Sequence, residues 1–222
     1  MKRKRETETR SELRSAIEEL SILAKVQPSD NHTAIHIPTK PFLHVCTLIL
    51  QVLDKIGPTM AVLRQDIHQN MQRLEILWES DPAKYSNLIE MLKKEDSEGN
   101  RRKGTSCSRA FLWLIRSMDF MVALLQRLVK DPEQNIEQAV EESYNITLKP
   151  WHGWISSAAF KVALKLVPDN KTFISLLLTK DQNYDNLKED MQTLISLLVP
   201  LLEEIHSILV RKFVNVNVLS SF

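Results

Sequence analysis

Asp66, Asn70 and Arg73 are residues whose types and spacing could do chemistry together. They stand at i, i+4 and i+7, so on a helix turning about 100° per residue they fall within about 60° of one another. One face then carries a carboxylate, an amide and a guanidinium. Leu63, Ile67, Met71, Leu74 and Trp78 occupy the adjoining arc, so the polar stripe borders the apolar face instead of opposing it. A solvated run of paired side chains accounts for such a stripe. So does a site that holds a polar head above an apolar interior.

Two further stretches bear on that choice. Trp113 lies at the edge of an apolar helix side, near Arg109, Arg116 and Phe120, and the segment Lys149-Pro150-Trp151-His152-Gly153-Trp154 places two tryptophans and a histidine within four residues. His152 could serve as a general base with Asp66 as its orienter. No Ser or Cys stands in a nucleophile context, and no phosphate loop, Gly-x-Ser-x-Gly or His-Glu-x-x-His motif occurs. The reading is non-enzymatic. Of the histidines only His32 and His36 are closely spaced, in a Pro-flanked loop that suits a chance pair better than zinc; no metal or cofactor is expected. Asp, Asn and Arg together suit a hydroxyl-rich ligand: an acceptor, a group that both donates and accepts, and a donor fork. A tryptophan face can stack on the C–H face of a sugar, and a neutral histidine can donate to a carbonyl.

These side chains must be held by helices. Leu-rich runs recur at helical spacing, Gly numbers 4, and β-branched alternation is nearly absent. The spacing predicts helices at about 11–26, 42–56, 59–78, 86–94, 105–130, 136–144, 158–167, 173–178 and 185–212, the last bent at Pro200. Asp81-Pro82 is read as the cap of the 86–94 helix. Glu95 to Gly104 reads as a surface loop. The chain is therefore all-α in one helical domain.

Net charge is +1 from 29 basic and 28 acidic residues, which argues against a nucleic-acid partner and leaves Lys2-Arg3-Lys4-Arg5 as a solvated terminus. Cys46 and Cys107 read as buried free thiols. No apolar signal segment and no run of 18 uncharged apolar residues occurs. The expectation is a cytosolic (cytoplasmic) monomer in which the sequons at Asn31, Asn145 and Asn170 are chance matches.

Three segments then converge on a known pattern. Asp66-Ile67-His68-Gln69-Asn70-Met71-Gln72-Arg73, Leu112-Trp113-Leu114-Ile115-Arg116 and Trp151-His152-Gly153-Trp154 resemble, in order and spacing, the signature blocks of the glycolipid transfer protein family. Pro41-Phe42-Leu43 and Asp81-Pro82-Ala83-Lys84 resemble further family segments. The resemblance implies a two-layer, all-helical fold in which sphingolipid chains enter an apolar cavity. It gives Asp66 and Asn70 to the sugar hydroxyls, Asp66 also to the ceramide N–H, Trp113 to the first sugar ring and His152 to the amide carbonyl. Arg73 stands where the family usually has Lys, which keeps the charge and changes its geometry. The ceramide-phosphate branch has basic residues at the Asn70 and Trp113 positions, so this chain leans toward glucosyl- or galactosylceramide. Trp154 resembles the family's membrane-touching edge (a transient contact). Trp151 either joins that edge or packs beneath its turn. The expected organisation is an N-terminal extension with one helix at 1–38, the family domain at 39–214 and a tail at 215–222. A sphingolipid sensor, including one for ceramide phosphate, is the competing reading to a glycosphingolipid carrier.

Overall fold

Apolar residues at helical spacing can leave water only by packing one stripe against another, and that requirement shapes the chain. The structure, a computed structural model, describes residues 11–26, 36–57, 60–100, 103–179 and 182–213. The helices are α1 (Glu12–Val26), α2 (Thr39–Ile56), α3 (Ala61–Ser80), α4 (Leu88–Ser97), α5 (Cys107–Lys130), α6 (Ile136–Thr147), α7 (Trp154–Leu164), α8 (Asn170–Leu177) and α9 (Tyr184–Phe213). Among the described residues no strand forms; a single bridge joins Pro38 and Asn87. The basic run at 2–5, the His32–His36 pair, the Asn31 sequon and the 215–222 tail fall, wholly or in part, outside the described residues.

Helices α1, α2, α3, α5 and α9 each pack on the next and close a ring, with α4 and α6 on the flanks of α5. The aromatic rings of Phe42 on α2 and Phe111 on α5 meet inside it, 5.2 Å apart. Helix α5 is its spine: Phe111, Leu114, Ile115 and Met118 are all buried. Helix α9 is long and apolar enough to cross a membrane by length and composition. In this fold its buried stripe, Leu198, Leu202, Ile205 and Leu209, runs at i+4, i+3 and i+4 within the shared core. Leu201 lies at the half-buried edge of that stripe.

Local chemistry moved two helix starts. Asn87, not Asp81, caps α4: its Oδ1 accepts from Ile89 N at 3.1 Å and from Ile37 N at 3.0 Å. Asp81 instead accepts from Lys84 N at 3.1 Å and closes a 3-10 turn at Lys84–Ser86. The helix expected from residue 158 begins at Trp154, with Gly153 as its N-cap. That start places Trp154 and Ile155 on the first turn of α7. Likewise Leu63 is 39% exposed, because only Ile67, Met71 and Leu74 of its stripe are buried in the core.

The loop before α5 ends in a buried clamp. Glu95 Oε1 accepts from Cys107 N at 2.6 Å, while Oε2 accepts from Ser108 N at 2.7 Å and Ser108 Oγ at 2.6 Å. The carboxylate and burial together push the Cys107 thiol up to about 12, burial being the larger cause. Cys46 is buried and shifted upward likewise.

One surface pair joins α5 to α9. His206 Nε2 lies 3.0 Å from both oxygens of Asp119. That bond raises the imidazole above its ordinary 6.5, against burial and the charge of Arg116. A raised folded-state value gives stability that is complete below the unfolded value and is lost as pH rises through the folded one. The stability contributed by His206, read as the difference between wild type and His206→Gln in chemical denaturation, should be larger at about pH 6 than at about pH 8.5.

Candidate functional site

The stripe of α3 is split by its packing against α5. Asp66 stays exposed, Asn70 is buried at 4% exposure and Arg73 is half-buried. Arg73 Nη1 donates to Asn70 Oδ1 at 3.1 Å. The guanidinium therefore occupies the amide's carbonyl side and leaves its nitrogen without a partner among the described residues. Chemically, the pair is an oriented donor, with the cation held on the acceptor.

Across from it, Trp113 of α5 and His152 of the turn before α7 lie ring to ring at 5.3 Å, tilted by 36°. Asp66 is near enough to act on His152: burial lowers the imidazole below its ordinary value, the carboxylate of Asp66 opposes that shift and Arg116 adds to it. The ring is thus neutral near pH 7. Its Nδ1 lies 3.1 Å from the Tyr144 hydroxyl. Trp113 and His152 come together and Asp66 lies within electrostatic reach of His152, with the Asn70–Arg73 pair one helical turn along α3 from Asp66. His68, between them in sequence, points to solvent.

Two residues at this site had no role in the reading of the sequence. Arg116 is 3% exposed, and its guanidinium carbon lies 3.9 Å from the centre of the Trp151 ring and 4.9 Å from that of Trp113. Nη1 and Nη2 have no hydrogen-bond partner among the described residues. Burial lowers this group to about 10, Asp119 opposes and Arg109 adds, so it remains a cation clasped by indole faces. The sequence signal was there: Arg116 follows Trp113 by three residues, one helical turn. Tyr144 had only the helical spacing of a core residue. Trp151 is half-buried, with one face of its ring on Arg116.

Burying an unpaired cation is costly, and apolar replacement of buried charge is often neutral or stabilising. Arg116→Met should therefore keep or raise stability, by up to about 3 kcal/mol in chemical denaturation. The same variant should shift tryptophan emission, because Trp113 and Trp151 lose their shared neighbour.

Beside the cluster lie a cleft with mixed polar and apolar walls, Asp119, Gln126 and Glu203 among them, and an exposed apolar helix face. The cleft, of about 370 Å³, is lined by Val122, Ile146, Trp151, Val199, Leu202 and His206 among others. It shares Trp151 with the cluster, but Asp66, Asn70, Trp113 and His152 do not line it. On α7, Trp154 is 82% exposed, and Ile155 and Val162 are each 65% exposed. That helix is held by Leu164 and by Phe160, whose ring stacks on Tyr144 at 3.5 Å.

Known proteins share this chain's sequence pattern and fold. Residues 37–179 match the family model for glycolipid transfer protein. Glycolipid transfer protein 3 of Arabidopsis thaliana is 62% identical over 205 residues, covering 90% of this chain and 88% of its own. The solved structure of FAPP2, described as selecting simple glycosphingolipids with the GLTP-fold, superposes with a TM-score of 0.71 at 28% identity, over 81% of this chain and 86% of that one. A mutant of Arabidopsis ACD11 in complex with ceramide-1-phosphate gives a TM-score of 0.81 at 20% identity, over 92% and 98% of the two chains, a likeness of fold. The all-helical architecture implied by the signature blocks is the architecture found among the described residues, and its structural neighbours share the fold.

Proposed function

Since the chain belongs to the glycolipid transfer protein family, we propose that it carries neutral glycosylceramides between membranes without altering them. The observation that carries this reading is the pairing of Trp113 with His152 within electrostatic reach of Asp66, on whose helix Arg73 orients the Asn70 amide. Trp113 offers a platform for the first sugar ring, Asp66 and Asn70 take its hydroxyls, and His152 donates to the ceramide carbonyl.

Magnitudes explain the division of labour. Two lipid chains of about 30 carbons in total would cost on the order of 24 kcal/mol in water, at ~0.8 kcal/mol per methylene. Moving them from a bilayer into an apolar protein interior exchanges one dry place for another, so nearly all of that cost cancels. Selection falls to the head group, where hydrogen bonds contribute roughly 1 kcal/mol each and more when charged. A phosphate would call for clustered, accessible cations. Here Arg116 is spent on indole rings and Arg73 on an amide. The exposed Trp154, Ile155 and Val162 supply the transient membrane contact, since tryptophan favours the lipid–water interface. The protein then works as a cytosolic shuttle.

Transfer of fluorescent glucosylceramide, galactosylceramide and ceramide-1-phosphate between vesicles tests this directly. Both glycosylceramides should move at least about tenfold faster than the phosphate, a difference of about 1.4 kcal/mol. Faster movement of ceramide-1-phosphate would overturn the selectivity. Tight loading without release would identify a sensor instead of a carrier.

A further inference from the structure

We propose that Tyr144 is the positioning residue of this site: its hydroxyl holds His152 as the Nε2–H tautomer, so that the other ring nitrogen becomes a donor for a ligand carbonyl. The inference rests on the reading of His152 given above and names the residue that makes a donor of it.

Tyr144 is 3% exposed, stacked flat on Phe160 with an interplanar angle of 6°. Its hydroxyl lies 3.1 Å from His152 Nδ1 and 3.3 Å from Ser157 Oγ. A phenol has one proton and can donate to only one of them. Three considerations give it to His152. The histidine contact is the shorter one. A phenol is a stronger donor than an aliphatic hydroxyl, and the in-plane lone pair of imidazole is a stronger acceptor than a serine oxygen. Ser157 can then donate in turn to the Tyr144 oxygen, and the chain Ser157 to Tyr144 to His152 is satisfied at every link.

Once Nδ1 accepts, a neutral ring must carry its proton on Nε2. The groups facing the imidazole are Asp66, Arg116, Trp113 and Tyr144. Burial and Arg116 keep the ring neutral, against the pull of Asp66. Nε2 has no partner among the described residues. The opposite arrangement, with the phenol proton on Ser157, would put the ring proton on Nδ1. Nε2 would then be an acceptor, suited to a ligand N–H or O–H.

Long-range ¹⁵N–¹H NMR of the full chain, labelled at histidine, reads the tautomer without any lipid, with His152→Gln assigning the signal. At about pH 7.5, where a ring with a lowered value is neutral, His152 should show a pyrrole-type shift at Nε2 and a pyridine-type shift at Nδ1. Tyr144→Phe keeps the ring stacked on Phe160 and removes only the hydroxyl. It should mix the two tautomers and slow glycosylceramide transfer about tenfold, the lower end of what losing an orienting partner costs at metal-ligating histidines. Ser157→Ala should leave the tautomer unchanged. A pyrrole-type Nδ1 in the wild-type protein, or an unmixed Nε2–H signal in Tyr144→Phe, would overturn the proposal. Should Tyr144→Phe fail to fold, the wild-type and Ser157→Ala spectra still decide. A wild-type protein that moves no glycosylceramide defeats the carrier reading instead, and leaves the tautomer measurement intact.

Discussion

Trp113→Ala should slow glycosylceramide transfer by at least about 30-fold, and Asp66→Val by about 100-fold, with helical content unchanged. The size follows from where selection occurs. The free energy of chain burial nearly cancels between bilayer and protein, so a lost head-group contact is felt at its full strength. Truncating a central aromatic anchor typically costs about 2 kcal/mol or more, which at about 1.4 kcal/mol per decade is roughly 30-fold. Asp66 offers charge-assisted acceptors, each contributing about 1.5–3 kcal/mol; losing two gives about 3 kcal/mol or more. Neither change disturbs the core, because Asp66 is exposed and Trp113 half-buried. Vesicle-to-vesicle fluorescence transfer measures the rate and circular dichroism the fold. Undiminished transfer by both folded variants would remove the site.

The largest expected effect on stability lies away from that site. Glu95→Ala should lower the unfolding free energy by about 3 kcal/mol, since a buried carboxylate accepting three charge-assisted bonds disappears and leaves two backbone N–H groups of α5 unpaired. For a chain of this size that corresponds to roughly 10 °C in Tm. Ser106 Oγ still caps Arg109 N at 3.1 Å, so α5 loses part of its N-terminal anchorage and not all of it. Glu95→Gln keeps an acceptor and should lose about half as much. The two variants compared by urea denaturation separate the charge from the geometry. Because α5 carries Trp113 and Arg116, the clamp also fixes the height of the site's platform along the helix axis.

Helical periodicity was the information the chain displayed most openly. Burial of one stripe per helix is a property of residue order, so the all-α class and most of the core of α5 and α9 could be read directly. The i, i+4, i+7 stripe on α3 was visible for the same reason, and three short blocks in register named the family. Boundaries were less legible where two side chains competed for one role. Asp81 and Asn87 are both good caps, and which residue capped α4 depended on Ile37, fifty positions upstream of Asn87.

Residue order by itself therefore determined the helices, their apolar faces and the set of polar side chains available for a sugar-bearing amide. Tertiary packing alone decided what those side chains do. It turned Arg73 onto Asn70, wedged Arg116 between two indoles and set Tyr144 against His152. These are contacts between groups brought together by helix packing, and their strength depends on burial: a cation–π stack, a displaced imidazole equilibrium and a tautomer choice need a low-dielectric setting. No local pattern encodes that setting, because water is excluded only after α3, α5, α6 and α7 have closed on one another.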